Sequence, residues 1–64
     1  MISNAKVRKF VEARYPAYRR DNKVGGWAQP GAGRFISDED ARREAEAEID
    51  AVLDGGALMP KWAQ

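Results

Sequence analysis

The sequence predicts a single small α+β domain over residues 1–64, with two packed helices separated by a glycine-rich β-hairpin or loop and a short C-terminal tail packed back on them. Three stretches carry this expectation. Residues 37–56, SDEDARREAEAEIDAVLDGG, combine a helix start, an apolar stripe and a helix stop. Residues 4–14 carry a second apolar stripe that ends ahead of Pro16. Between the two lies DNKVGGWAQPGAGRFI, with four glycines and no long apolar run.

In the first of these stretches, Ser37 suits the N-cap because its hydroxyl can accept from an orphan N–H of the first turn. Asp38, Glu39 and Asp40 place negative charge at the positive end of the helix dipole, and Asp40 stands where a capping box has its acid. Gly55 and Gly56 can adopt the left-handed geometry that closes a helix. Ala41, Ala45, Ile49, Val52 and Leu53 fall within roughly 120° of one another, the width of one core-facing stripe. Glu39–Arg43 and Arg42–Glu46 are opposite-charge pairs one turn apart, worth about 0.2–0.5 kcal/mol each. Glu44/Glu48 and Glu46/Asp50 are like-charge pairs at the same spacing, so helix stability does not account for the acidic surplus.

In the earlier helix, Ser3 is the cap and Val7, Phe10 and Val11 share one face, extended by Tyr15. Arg14 falls within that stripe. Either its stem packs while the guanidinium reaches water, or it pairs with an acid of the second helix. Pro16 ends the helix by disfavouring helical geometry at Tyr15 and lacking an N–H. A further short turn over residues 16–20 is expected, since proline suits a first helical position.

The middle stretch punctuates itself with Asp21-Asn22, Gly25-Gly26 and Pro30-Gly31-Ala32-Gly33. Residues 27–29 and 34–36 can pair as a short hairpin across the second turn. A structureless loop of this length is unusual in a compact domain unless it has a function. After Gly56, Leu58, Met59 and Trp62 are interrupted by Pro60, too short a segment for a helix. A tryptophan is costly to leave wet, so this tail is expected to fold back.

Composition narrows the chemistry. The chain has no cysteine and no histidine. That removes thiolate nucleophiles, imidazole acid–base catalysis and nearly every zinc or haem site. Asp38, Asp40 and Glu44 read as complements of the helix dipole rather than ligands of a divalent ion. Gly31-Ala32-Gly33 lacks the residues that complete a phosphate loop. No enzyme activity, metal or cofactor is therefore expected. Apolar runs are too short for a signal peptide or a membrane span, which suggests a cytoplasmic protein without a membrane partner. The large apolar residues are few for an unstapled chain, so a partner is expected to complete the core, by homo-oligomerisation or by docking on a larger protein.

Charge gives the functional expectation. Residues 1–36 hold eight basic residues against two acids, a net of +6, whereas residues 37–64 hold three against eight, a net of −5. Such asymmetry points to a polyanion-binding surface or to charge-matched association. Nucleic-acid binding is the leading expectation, with Arg8, Lys9, Arg19, Arg20, Lys23 and Arg34 contacting phosphates and Trp27, with Tyr18, able to stack on bases. A hairpin tipped by residues 30–33 could enter a groove. The acidic helix that follows is a poor recognition helix. The competing expectation is a protein-interaction or inhibitor module, using the acidic helix face or Trp27, Leu58, Met59 and Trp62 as exposed anchors. Were the basic residues already paired with the downstream acids, the polyanion reading would lose its footing.

Overall fold

The computed structural model describes residues 2–64, in the order helix, three strands, helix and a final 3₁₀ turn. Helix α1 (Asn4–Arg14) starts at Ser3, whose hydroxyl accepts from the Lys6 N–H at 3.2 Å. It stops at Tyr15, whose N–H still reaches the Val11 carbonyl at 2.7 Å before Pro16 breaks the ladder. The helical turn expected over residues 16–20 does not form. A single tight turn closes instead, Tyr18 N–H to Tyr15 carbonyl at 3.0 Å, and the chain enters strand β1 (Arg19–Asp21).

Strands β2 (Gly26–Gln29) and β3 (Arg34–Ser37) complete an antiparallel sheet in the order β1-β2-β3. Across the sheet, Arg20 stands opposite Trp27 and Trp27 opposite Ile36, while Arg19, Ala28 and Phe35 form the next row. Side chains alternate between faces along a strand. The row containing Trp27 and Ile36 is turned toward the helices and buried, and the row containing Phe35 faces outward. Asp21 accepts from the Lys23 N–H at 3.0 Å to shape the turn between β1 and β2. Gly26 has no tolerance for a side chain, because a Cβ there would lie 2.0 Å from the Ile36 carbonyl oxygen.

Helix α2 (Asp38–Gly55) begins directly after β3. Ser37 caps it by accepting from the Asp40 N–H at 3.1 Å, and the Asp38 N–H bonds the Gly25 carbonyl at 2.8 Å, tying the helix start to the first turn. Gly56 closes it in the left-handed conformation, φ 68°. Gly55 belongs to the helix proper.

The core consists of Val7, Phe10 and Val11 from α1, Trp27 and Ile36 from the sheet, Ala41 and Ala45 from α2, and Trp62. Ala41 and Ala45 are 0% exposed, so the small end of the α2 stripe is where the other elements come closest. The bulky end does not reach the core: Ile49 packs at its margin, Val52 is half-buried, and Leu53 is 62% exposed. Both ends of α1 meet the same stretch of α2, Ile2 and Asn4 at Arg42 and Glu46, Tyr15 and Arg14 at Glu44 and Glu48. Helix α1 therefore crosses the first half of α2, and the last turns of α2 lie beyond that crossing. The tail carries Trp62 back in a 3₁₀ turn (Lys61–Ala63), edge-on to Phe10 with ring centres 5.1 Å apart. Among the described residues, no helix is long and apolar enough to cross a membrane.

Candidate nucleic-acid interface

Arg20 and Trp27 face each other across β1 and β2, and their contact dominates the local geometry. The guanidinium carbon of Arg20 lies 4.7 Å from the centre of the indole, a cation–π arrangement. Its nitrogens are committed as well. One bonds Asp38 Oδ1 at 2.5 Å, another Asp38 Oδ2 at 3.2 Å, and Nε bonds Asn22 at 2.9 Å. The hydrogen bond from Arg20 holds the Asp38 carboxyl below its ordinary range, and the same bond raises the Arg20 value. Trp27 itself is 6% exposed. It is a core residue under a cationic lid, and a base cannot stack on it without opening the fold. Arg20 is correspondingly a clasp between β1 and α2 rather than a free phosphate contact.

The other predicted residues fall into two groups. Arg8 and Arg19 join Arg20 along a groove of about 260 Å³ between α1 and β1, floored by Val11 and Trp27 and carrying Glu12 as its acid. Beyond the Arg20 stack a larger groove, about 760 Å³, continues between α1 and the start of α2. Arg8, Arg20 and Trp27 line both, but the second also presents Asp38 and Glu39 and is mixed in charge. Lys9, Lys23 and Arg34 line neither groove. Lys23 sits in the turn between β1 and β2, and Arg34 opens β3 at the opposite end of the sheet, both exposed.

Ion pairing separates free cations from occupied ones. Among the described residues, Arg14 pairs with Glu48, Arg20 with Asp38, and Arg43 with Glu39 and Asp40. Arg8, Lys9, Arg19, Lys23 and Arg34 have no carboxylate partner among these pairs. Arg19 rests on its own backbone, donating to the Pro16 and Tyr18 carbonyls at 3.2 Å each. Arg14 resolves to the paired alternative, with its guanidinium also 5.8 Å from the centre of the Phe10 ring.

Three glutamates of α2 accept hydrogen bonds from other parts of the molecule. Glu44 accepts from the Tyr15 hydroxyl at 2.5 Å, which raises the phenol pKa. Glu48 accepts from the Trp62 indole N–H at 2.5 Å, and Glu46 from the Ile2 N–H at 3.4 Å. Arg42 does not bond Glu46 as helix spacing suggested. It turns to the Ile2 carbonyl and the Asn4 side chain.

One residue escaped sequence reasoning. Phe35 is 60% exposed on the outward face of the sheet, although its type suggested core. Phe35 and Ile36 are adjacent in a strand, so only one can face inward, and the pairing of Ile36 with Trp27 selects Ile36. Of the proposed protein-binding anchors, Trp27 and Trp62 are buried, Met59 is half-buried, and Leu58 is 93% exposed. No family model matches this chain, and no curated protein or solved structure shows significant similarity to it.

Proposed function

We propose that this protein is a small non-enzymatic nucleic-acid-binding protein working in the cytoplasm, with Arg8, Lys9, Arg19, Lys23 and Arg34 as its phosphate contacts. The observation that supports this most is the uneven use of charge. Among the described residues those five cations lack carboxylate partners, while Glu44, Glu46 and Glu48 of α2 accept hydrogen bonds from Tyr15, Ile2 and Trp62. Positive charge without an internal partner on a surface attracts a polyanion and releases its counterions, giving a salt-dependent affinity. Arg8 and Arg19 supply the groove between α1 and β1, Lys9 extends the charge along α1, and Lys23 and Arg34 mark the two ends of the sheet.

The test is a salt titration of binding to random-sequence DNA and RNA, each single-stranded and duplex. Affinity is expected to fall steeply between about 50 and 200 mM salt. The combined variant Arg19→Glu, Arg34→Glu is expected to weaken binding and to flatten the log–log slope by roughly 1 for each cation removed. Absence of binding at low salt overturns the proposal.

A second reading, docking on a larger protein or on a second copy of this chain, draws on the exposed Leu53 and Leu58 beyond the core. They flank the end of α2, where Asp50 and Asp54 supply the rim charge expected around an apolar contact.

A further inference from the structure

The outward face of the sheet bears on which form of nucleic acid is bound. We propose, resting on the nucleic-acid reading above, that the ligand is single-stranded and that a base stacks on Phe35, with Arg19 meeting a phosphate from the far end of the same cross-strand row.

The row reads Arg19, Ala28, Phe35 from β1 to β3, and Arg19 stands at the sheet edge. There one guanidinium nitrogen donates to the Pro16 and Tyr18 carbonyls, and the other nitrogens make no bond among the described residues. Adjacent strands are about 4.8 Å apart, which puts Arg19 and Phe35 about 10 Å from each other across the sheet. Between and beside them stand Ala28, Gly26 and Ser37, none with a side chain that rises as far as the phenyl ring. Phe35 therefore projects from a low floor, with room for a planar group against the ring. It is the most exposed aromatic ring on a molecule whose two tryptophans are buried.

The chemistry of this face discriminates between ligands. Apart from Arg19, its polar side chains are Asp21 and Ser37, which offer little with which to read base edges in a duplex groove. A phenyl ring has no hydrogen bond to give and gains most from the flat face of a base. In a duplex those faces are already stacked on one another, whereas in a single strand they are open. Charge sets where the backbone runs. Asp21 and the start of α2, with Asp38, Glu39 and Asp40, make one end of the sheet unfavourable to phosphates. Arg19 lies toward the other end, near the turn over residues 30–33, whereas Arg34, next to Phe35 in the strand, turns to the opposite face.

The test measures binding of fluorescein-labelled single-stranded DNA and RNA of random sequence, and of the matching duplexes, to the full chain at low salt. Wild type is compared with Phe35→Ala and Phe35→Trp, and circular dichroism checks that both variants fold. The expected result is tighter binding to at least one single strand than to its duplex, a loss of roughly 5- to 150-fold for Phe35→Ala, and recovery with quenched indole emission for Phe35→Trp. Equal or tighter duplex binding, or a Phe35→Ala variant that binds like wild type, overturns the inference while leaving nucleic-acid binding standing. No binding to any of the four ligands overturns both.

Discussion

At the scale of single residues, the glutamates of α2 show how an apparent excess of charge is consumed. Along the helix, Glu44, Glu46 and Glu48 look unfavourable, because like charges one turn apart repel. In space each faces a different donor, the Tyr15 hydroxyl, the Ile2 N–H and the Trp62 indole. These partners lie 14 to 44 residues away in the chain, so no local pattern announces them. Asp38 plays the same part for Arg20, and its depressed pKa makes a prediction. A carboxyl whose folded pKa lies below its unfolded value, near 3.8, contributes stability that is present above that value and disappears as pH falls through the folded one. Both side chains are well exposed, so the contribution is that of a surface pair, about 0.2–1 kcal/mol. Asp38→Asn should accordingly lower the urea midpoint at neutral pH, and the difference should shrink as pH falls below 3.8. The wild-type and variant curves converge as the acid limb is descended.

At the scale of elements, legibility followed locality. Helix α2 could be read from Ser37, its first-turn acids and its closing glycines because each signal acts within one turn. Strand β1 could not. Arg-Arg-Asp has no β-branched or aromatic residue, and the strand exists because β2 pairs with it and Arg20 covers Trp27. The candidate site was legible in the same uneven way. Its cations could be listed from the sequence, but whether each was free depended on contacts across elements, and the swap of Trp27 for Phe35 as the exposed ring depended on register. Gly26 shows how tight that register is. Any side chain there collides with the Ile36 carbonyl, so β2 and β3 would have to part. Gly26→Ala should therefore cost about 1–3 kcal/mol in urea unfolding, the usual penalty for overpacking a close contact. A larger loss would mean that the sheet gives way as a unit.

On the scale of the whole molecule, the division of charge is only partly healed by folding. Among the described residues, Arg14–Glu48 and Arg20–Asp38 join the basic first half to the acidic second half, while Arg8, Lys9, Arg19, Lys23 and Arg34 stay exposed. The shape is elongated, 38 × 19 × 15 Å, and α2 extends beyond its crossing with α1. Its overhang carries Leu53 and Leu58 away from the core. If association covers this overhang, the melting temperature should rise with protein concentration, since burial in a second copy stabilises by mass action. A melting temperature constant over a hundredfold range in concentration would remove self-association.

Both extremities of the described chain are moored to the same body. Ile2 is held by Arg42 and Glu46, while Lys6 of α1 reaches the Gln64 carbonyl and Trp62 is sealed under Phe10. Removing residues 61–64 would take the indole ring from Phe10 and its N–H from Glu48, so a chain shortened there should melt at a lower temperature.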